Sequence, residues 1–117
     1  MRRILVKNVC GAHCLSPDEG EALFKEAYEL LRIDEDILLD FIGVETLASS
    51  FLNTAVGRLF GKFDHSFVEG KLRWSNLDEQ DERVLKLVIE NAKDHFGKTE
   101  AQRKAALRIV DTAIGDE

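Results

Sequence analysis

Apolar and polar positions along the chain fall into two periods. From Arg3 to Val9 (RILVKNV) Ile, Leu and Val dominate, which predicts a first strand, and Gly11 to Leu15 follow as a loop. Ser16-Pro17-Asp18-Glu19 then marks a helix start, with Ser16 as N-cap, Pro17 at the first helical position and Glu19 completing a capping box. Leu23, Ala27, Leu30 and Leu31 give residues 17–32 one apolar face, and Asp18, Glu19 and Glu21 sit at the positive end of the helix dipole. Ile37 to Phe41 (ILLDF) is too short for a helix and predicts a buried strand. After a turn through Gly43 to Leu47, a second helix is expected from near Ala48 to Phe63, with Leu52, Val56, Leu59, Phe60 and Phe63 in one stripe. Gly57 and Gly61 lie inside that stripe, where close packing would offset their poor helix propensity. Lys71 to Ser75 (KLRWS) alternates strictly and predicts a third strand. Asn76 reads as the cap of a third helix, which carries Val84, Leu85, Val88, Ile89, Ala92 and Phe96 and stops before Gly97. Thr99 to Gln102 reads as another capping box. It opens a final helix over 99–114 with Ala106, Ile109, Val110 and Ala113 on its narrow apolar side.

The order β-α-β-α-β-α-α implies an α/β fold with a small, mostly parallel sheet of three to four strands. If the strands lie in sequential order, right-handed crossovers put the helices mainly on one face. The alternation agrees. Ile4, Val6, Ile37, Leu39, Phe41, Leu72 and Trp74 form an apolar side, while Lys7, Asp40, Lys71 and Arg73 stand beside Leu5 and Leu38 on the other. Residues 1–97 are expected to be one domain. Residues 98–117 would be a helical extension packed on that domain or on a partner, and a second copy of the chain is one such partner, making a homodimer.

Composition narrows the function. With 117 residues, 44% of them hydrophobic and 32% charged, the chain has the makings of a single core and not of a disordered segment. A net charge of −6 disfavours nucleic acid, whose phosphates need a basic stripe. No apolar run approaches the ~20 residues of a membrane span, so no membrane contact is expected. Two cysteines and no export signal suit the reducing cytoplasm.

Candidate chemistry is sparse. Cys10, His13 and Cys14 put three soft ligands into five residues, but zinc wants a fourth that no second Cys pair supplies. A metal-binding or redox loop is therefore kept only as the alternative to a protein without cofactors. Asp40, near the end of a strand, is expected to pair with Lys7, Lys71 or Arg73. His95 reads as a cation in the last turn of its helix, and Asp78–Arg83 (DEQDER) as a solvated first turn. There is no Ser-His-Asp set, glycine-rich phosphate loop or HExxH, so an enzyme is not expected.

The stretch Ile37–Phe63 (ILLDFIGVETLASSFLNTAVGRLFGKF) resembles the STAS-like family, relatives of the STAS domains of bacterial anti-sigma factor antagonists. The likeness rests on a strand ending in Leu-Asp-Phe, a turn through Gly43-Val44 and a helix opened by Ser50-Phe51. Leu72-Arg73-Trp74-Ser75-Asn76 before an acidic helix start continues it, as does Ser16 with Glu21-Ala22 in the first unit. The resemblance covers about the first 95 residues. It implies a regulatory, signalling module that binds protein partners, typically a histidine-kinase-like ATPase. The phosphorylated serine of such antagonists lies in Asp-Ser-Ser-Gly-Leu, which here reads Ala48-Ser49-Ser50-Phe51-Leu52. By that likeness Ser49 and Ser50 are the phospho-switch candidates, and Ala48, Phe51 and Asn53 the partner surface. Ala48 replaces the acid and Phe51 the glycine.

Overall fold

Three short strands, β1 (Arg2–Leu5), β3 (Ile37–Asp40) and β5 (Leu72–Ser75), form a parallel sheet in the order β1-β3-β5 in the computed structural model, which describes residues 1–109, with side chains to residue 96. The register is even: Ile4, Leu39 and Trp74 share one row, and Leu5, Asp40 and Ser75 the next. Sequential parallel strands with right-handed crossovers leave both intervening helical segments on one face. Ile4, Ile37, Leu39 and Leu72 point into the core on that side, whereas Arg3 and Arg73 are exposed and Leu5 and Leu38 half-buried on the other. The fold is mixed α/β, as the pattern of the chain implied.

Helix α2 (Pro17–Arg32) has the predicted cap, with Ser16 and Glu19 closing a full capping box. Its buried residues, Leu23, Phe24, Ala27 and Leu31, recur at helical spacing. They pack against α3 (Ser49–Ala55), which buries Phe51, Leu52 and Ala55.

Four boundaries differ from the sequence reading. The first strand ends at Leu5, and Val6–Cys10 is a helix, α1. A run of apolar residues fits either period, and Val6 and Cys10, four apart, are both buried. The expected loop contains a two-residue strand, β2 (His13–Cys14), paired in parallel with β4 (Thr46–Leu47). The expected helix over 48–63 is two pieces, α3 and a 3-10 turn (Gly57–Gly61), and a further helix, α4 (His65–Lys71), follows before the third strand. Gly61 explains part of this break, since a Cβ there would lie 2.6 Å from the Phe96 ring, so the turn tucks under that ring. Lys71 consequently ends α4 and is not part of β5.

The last correction concerns the C-terminal half. Helix α5 runs without a break over Glu79–Ile109, so it does not stop before Gly97 and no new helix opens at Thr99. A mid-helix glycine costs only about 1 kcal/mol, which does not by itself end a helix. His95 is therefore inside α5 and not in a last turn. Residues 110–114 of the expected final helix lie outside the described residues. Asn76 does not cap α5 either. It takes a left-handed φ of 62°, and Asp78 instead accepts from the Asp81 N–H at 2.7 Å. Among the described residues no helix is long and apolar enough to cross a membrane.

Candidate functional site

The β2–β4 ladder joins the two loops that the sequence had presented as separate candidates. Ala12 C=O accepts from the N–H of Glu45 (2.7 Å) and of Thr46 (3.2 Å), and Cys14 C=O accepts from the Ala48 N–H at 3.0 Å. His13 Nδ1 lies 3.0 Å from Thr46 Oγ1. The Cys10–Cys14 loop thus lies directly beside the start of α3.

The start of α2 supports the other flank. Glu19 Oε1 accepts from the N–H groups of Leu15 (3.0 Å) and Ser16 (3.1 Å). Those two backbone donors hold the Glu19 carboxyl below the ordinary carboxylate range. With its N–H fixed in this way, Leu15 turns its carbonyl to Ser50, whose Oγ donates to it at 3.0 Å.

The two serines are therefore unequal. Ser50 spends its hydroxyl on Leu15. Ser49 is exposed, and no side-chain hydrogen bond engages it among the described residues. The first turn of α3 holds no acidic residue. Ala48 is half-buried and Asn53 exposed, so both can belong to a surface. Phe51 cannot. It is fully buried between α2 and α3, one helical step from the exposed serines, and serves the core. This corrects the expectation that it faces a partner.

The Cys10 and Cys14 thiols lie within hydrogen-bond reach of each other, but His13 does not join them. Successive residues of a strand point to opposite sides, so exposed His13 and buried Cys14 face apart. The Cys10 thiol donates to Glu19 C=O at 3.3 Å and the Cys14 thiol to Gly11 C=O at 3.4 Å. Burial, with the neighbouring Cys14 second, pushes Cys10 up to about 12; burial, with Glu19 second, pushes Cys14 up to about 11. Both stay as thiols at neutral pH. Among the described residues no group of three His, Cys, Asp or Glu side chains is placed to hold a metal ion.

Asp40 is the one buried charged residue among those described, at 2% exposure. Its partners differ from those expected. Arg3 approaches Oδ2 with Nη2 (2.6 Å) and Nε (2.8 Å), while Asn76 Nδ2 (2.7 Å) and the Ile42 N–H (3.0 Å) donate to Oδ1. Asn76, then Arg3, then Ile42 N–H hold this carboxyl below its ordinary range. Lys71 is taken by Asp34 (2.8 Å) and Asp36 (3.2 Å), and Arg73 by the carbonyls that end α4. Lys7 lies along Gly43. With four donors filling its lone pairs, Asp40 is a pin joining the three strands and not a free base. The role of Asn76 was visible only through its left-handed backbone, which no sequence spacing records. Glu82, within the charged stretch that had read as a solvated turn, accepts from Trp74 Nε1 at 3.0 Å.

A family described as "STAS-like domain of unknown function (DUF4325)" matches residues 19–82. The match begins within α2 and ends in the first turn of α5, taking in Asp40, Ser49, Ser50 and Asn76 and leaving out Cys10, His13 and Cys14. No curated protein and no solved structure matches the chain significantly.

Proposed function

The chain belongs to the STAS-like domains of unknown function, and from that premise we propose that it is a non-enzymatic regulatory module whose α3 face binds a protein partner and is switched by phosphorylation of Ser49. The observation that carries this reading is the sorting of the two serines: Ser50 bonded to Leu15 C=O, Ser49 exposed and uncommitted. A phosphate on Ser49 adds a charge of about −1.5 to −2. It meets no acidic side chain in the first turn of its own helix. Ala48 precedes Ser49, Asn53 stands one helical turn on, and the exposed Leu15 is bonded to the neighbouring Ser50, a small surface of mixed polarity suited to a partner. The kinase of this reading is a histidine-kinase-like ATPase, the partner class implied by the likeness to anti-sigma factor antagonists.

The test is phosphorylation mapping. The full chain is incubated with ATP and the histidine-kinase-like ATPases of its own genome, and the product is digested and sequenced by mass spectrometry. The phosphate is expected on Ser49, lost in Ser49→Ala and retained in Ser50→Ala. A phosphate on Ser50 alone, or none with any such kinase, removes the switch from the proposal. The Ser49→Asp variant is then expected to bind the same partner at least roughly tenfold more weakly than Ser49→Ala, a difference of about 1.4 kcal/mol.

A further inference from the structure

A groove of about 450 Å³ opens between α4, β5 and α5, at the sheet edge opposite β1. That volume falls within the ~300–1,000 Å³ of small-molecule sites. Its walls are Phe60, Leu72, Trp74 and Ile89. Three of these are core residues, and Leu72 and Trp74, two apart on β5, face the same way. Its mouth carries Glu69, Lys86 and Glu90.

The walls are braced. Trp74 Nε1 donates to Glu82 Oε2 at 3.0 Å, which fixes the plane of the indole. Lys93 Nζ reaches Glu69 Oε2 at 2.8 Å and Glu90 Oε2 at 3.6 Å, tying α4 to α5 across the groove. Side chains held in this way do not rotate inward to fill the space. An aromatic, apolar groove with fixed walls favours a flat ring.

Charge at the mouth selects what the ring carries. The carboxylates of Glu69 and Glu90 already share Lys93, whereas exposed Lys86 makes no ion pair among the described residues. An anionic group on the ligand finds that ammonium directly. A cationic group would have to compete with Lys93. We infer that this groove binds an aromatic carboxylate, with its ring against Trp74 and Phe60 and its carboxylate at Lys86 Nζ. The inference is independent of the Ser49 switch.

Trp74 is the only tryptophan of the chain, so its indole N–H gives a single reporter resonance. The full-length ¹⁵N-labelled protein is titrated with 2-naphthoate and, separately, with neutral 2-naphthamide. A saturable shift of the Trp74 resonance is expected with both, the amide binding roughly tenfold more weakly for want of one charge-assisted hydrogen bond. In Lys86→Ala and Lys86→Gln, at an exposed position where folding is not at stake, naphthoate should fall to the affinity of the amide and the amide should not change. Absence of a saturable shift with naphthoate overturns the site. Equal affinity of acid and amide, or naphthoate binding that the Lys86 variants leave unchanged, overturns the assignment of the anion to Lys86.

Discussion

Replacing Gly20 with alanine tests the seam between α2 and α3 on which the proposed switch surface rests. A Cβ at this position would lie 2.6 Å from the Phe51 carbonyl oxygen, 3.0 Å from Thr54 Cβ and 3.3 Å from Ala55 N. Two of these are backbone atoms, so no rotamer change relieves the contact. The two helices must part by about 0.4–0.8 Å, and a gap of that size forfeits a quarter to a half of each dispersion contact across it. Leu23, Phe24 and Ala27 on one side and Phe51, Leu52 and Ala55 on the other share that loss. Overpacking of this kind costs about 1–3 kcal/mol, and alanine returns up to about 1 kcal/mol of helix propensity. The net expectation is a loss of about 1–2 kcal/mol. Gly70, in α4, is the control, because a Cβ there meets nothing within 4 Å. Gly70→Ala should gain about 0.5–1 kcal/mol. Urea denaturation with an unchanged slope measures both. If Gly20→Ala is as stable as the parent, or more so, the close approach of the helices is refuted.

Other consequences are as direct. Ser50→Ala should cost about 0.5–1.5 kcal/mol through its lost bond to Leu15 C=O, whereas Ser49→Ala should stay within about 0.5 kcal/mol of the parent in the same denaturation assay. Asp40 is held below its ordinary pKa of 3.8 in the fold, so its contribution is complete above that value and is lost as pH falls through the lower, folded one. Acid unfolding followed by circular dichroism should therefore show a fall in stability beginning near that pH, and a shallower fall in Asp40→Asn. Cys10 and Cys14, pushed up to about 12 and about 11, should resist a thiol-specific disulfide reagent at pH 8 in the folded protein and react at once in denaturant.

Wherever a local rule settles the structure, the sequence shows it. The capping box at Ser16 and Glu19 satisfies its own donors within four residues, so it needs nothing from the rest of the chain. The three parallel strands were equally visible, because β-rich runs separated by helices leave few topologies. Several of the segments read wrongly are decided by contacts far along the chain. The turn at Gly61 answers to Phe96, 35 residues away, and Asp40 answers to Arg3 on one flanking strand and to Asn76 just past the other. The β2–β4 ladder is two residues long, below any pattern length, and it sets Cys14 beside the start of α3. Phe51 shows the limit of a motif match. Taking the place of a glycine in the anti-sigma factor antagonists' stretch, it carries a large apolar side chain, and a helix-start position four residues before Ala55 sends that side chain into the core.

The way α3 is fastened bears on how a phosphate at its start would act. Its N-cap N–H is bonded to Cys14 C=O, its second residue is tied to Leu15 C=O, its third is wholly buried, and Gly20 approaches it at backbone distance. A segment held from four directions is a poor subject for an order–disorder transition, which draws on weakly anchored regions. A charge added at exposed Ser49 disturbs none of the four contacts. Phosphorylation should therefore change what the surface attracts and leave the backbone where it is. Amide spectra of the phosphorylated chain, or of Ser49→Asp, should then move only at residues around the ladder and the start of α3, with stability unchanged within about 0.5 kcal/mol. Widespread shifts through α2 and β3, or loss of the α3 signals, would mean instead that the helix start lets go, and that the anchoring contacts are weaker than their geometry implies.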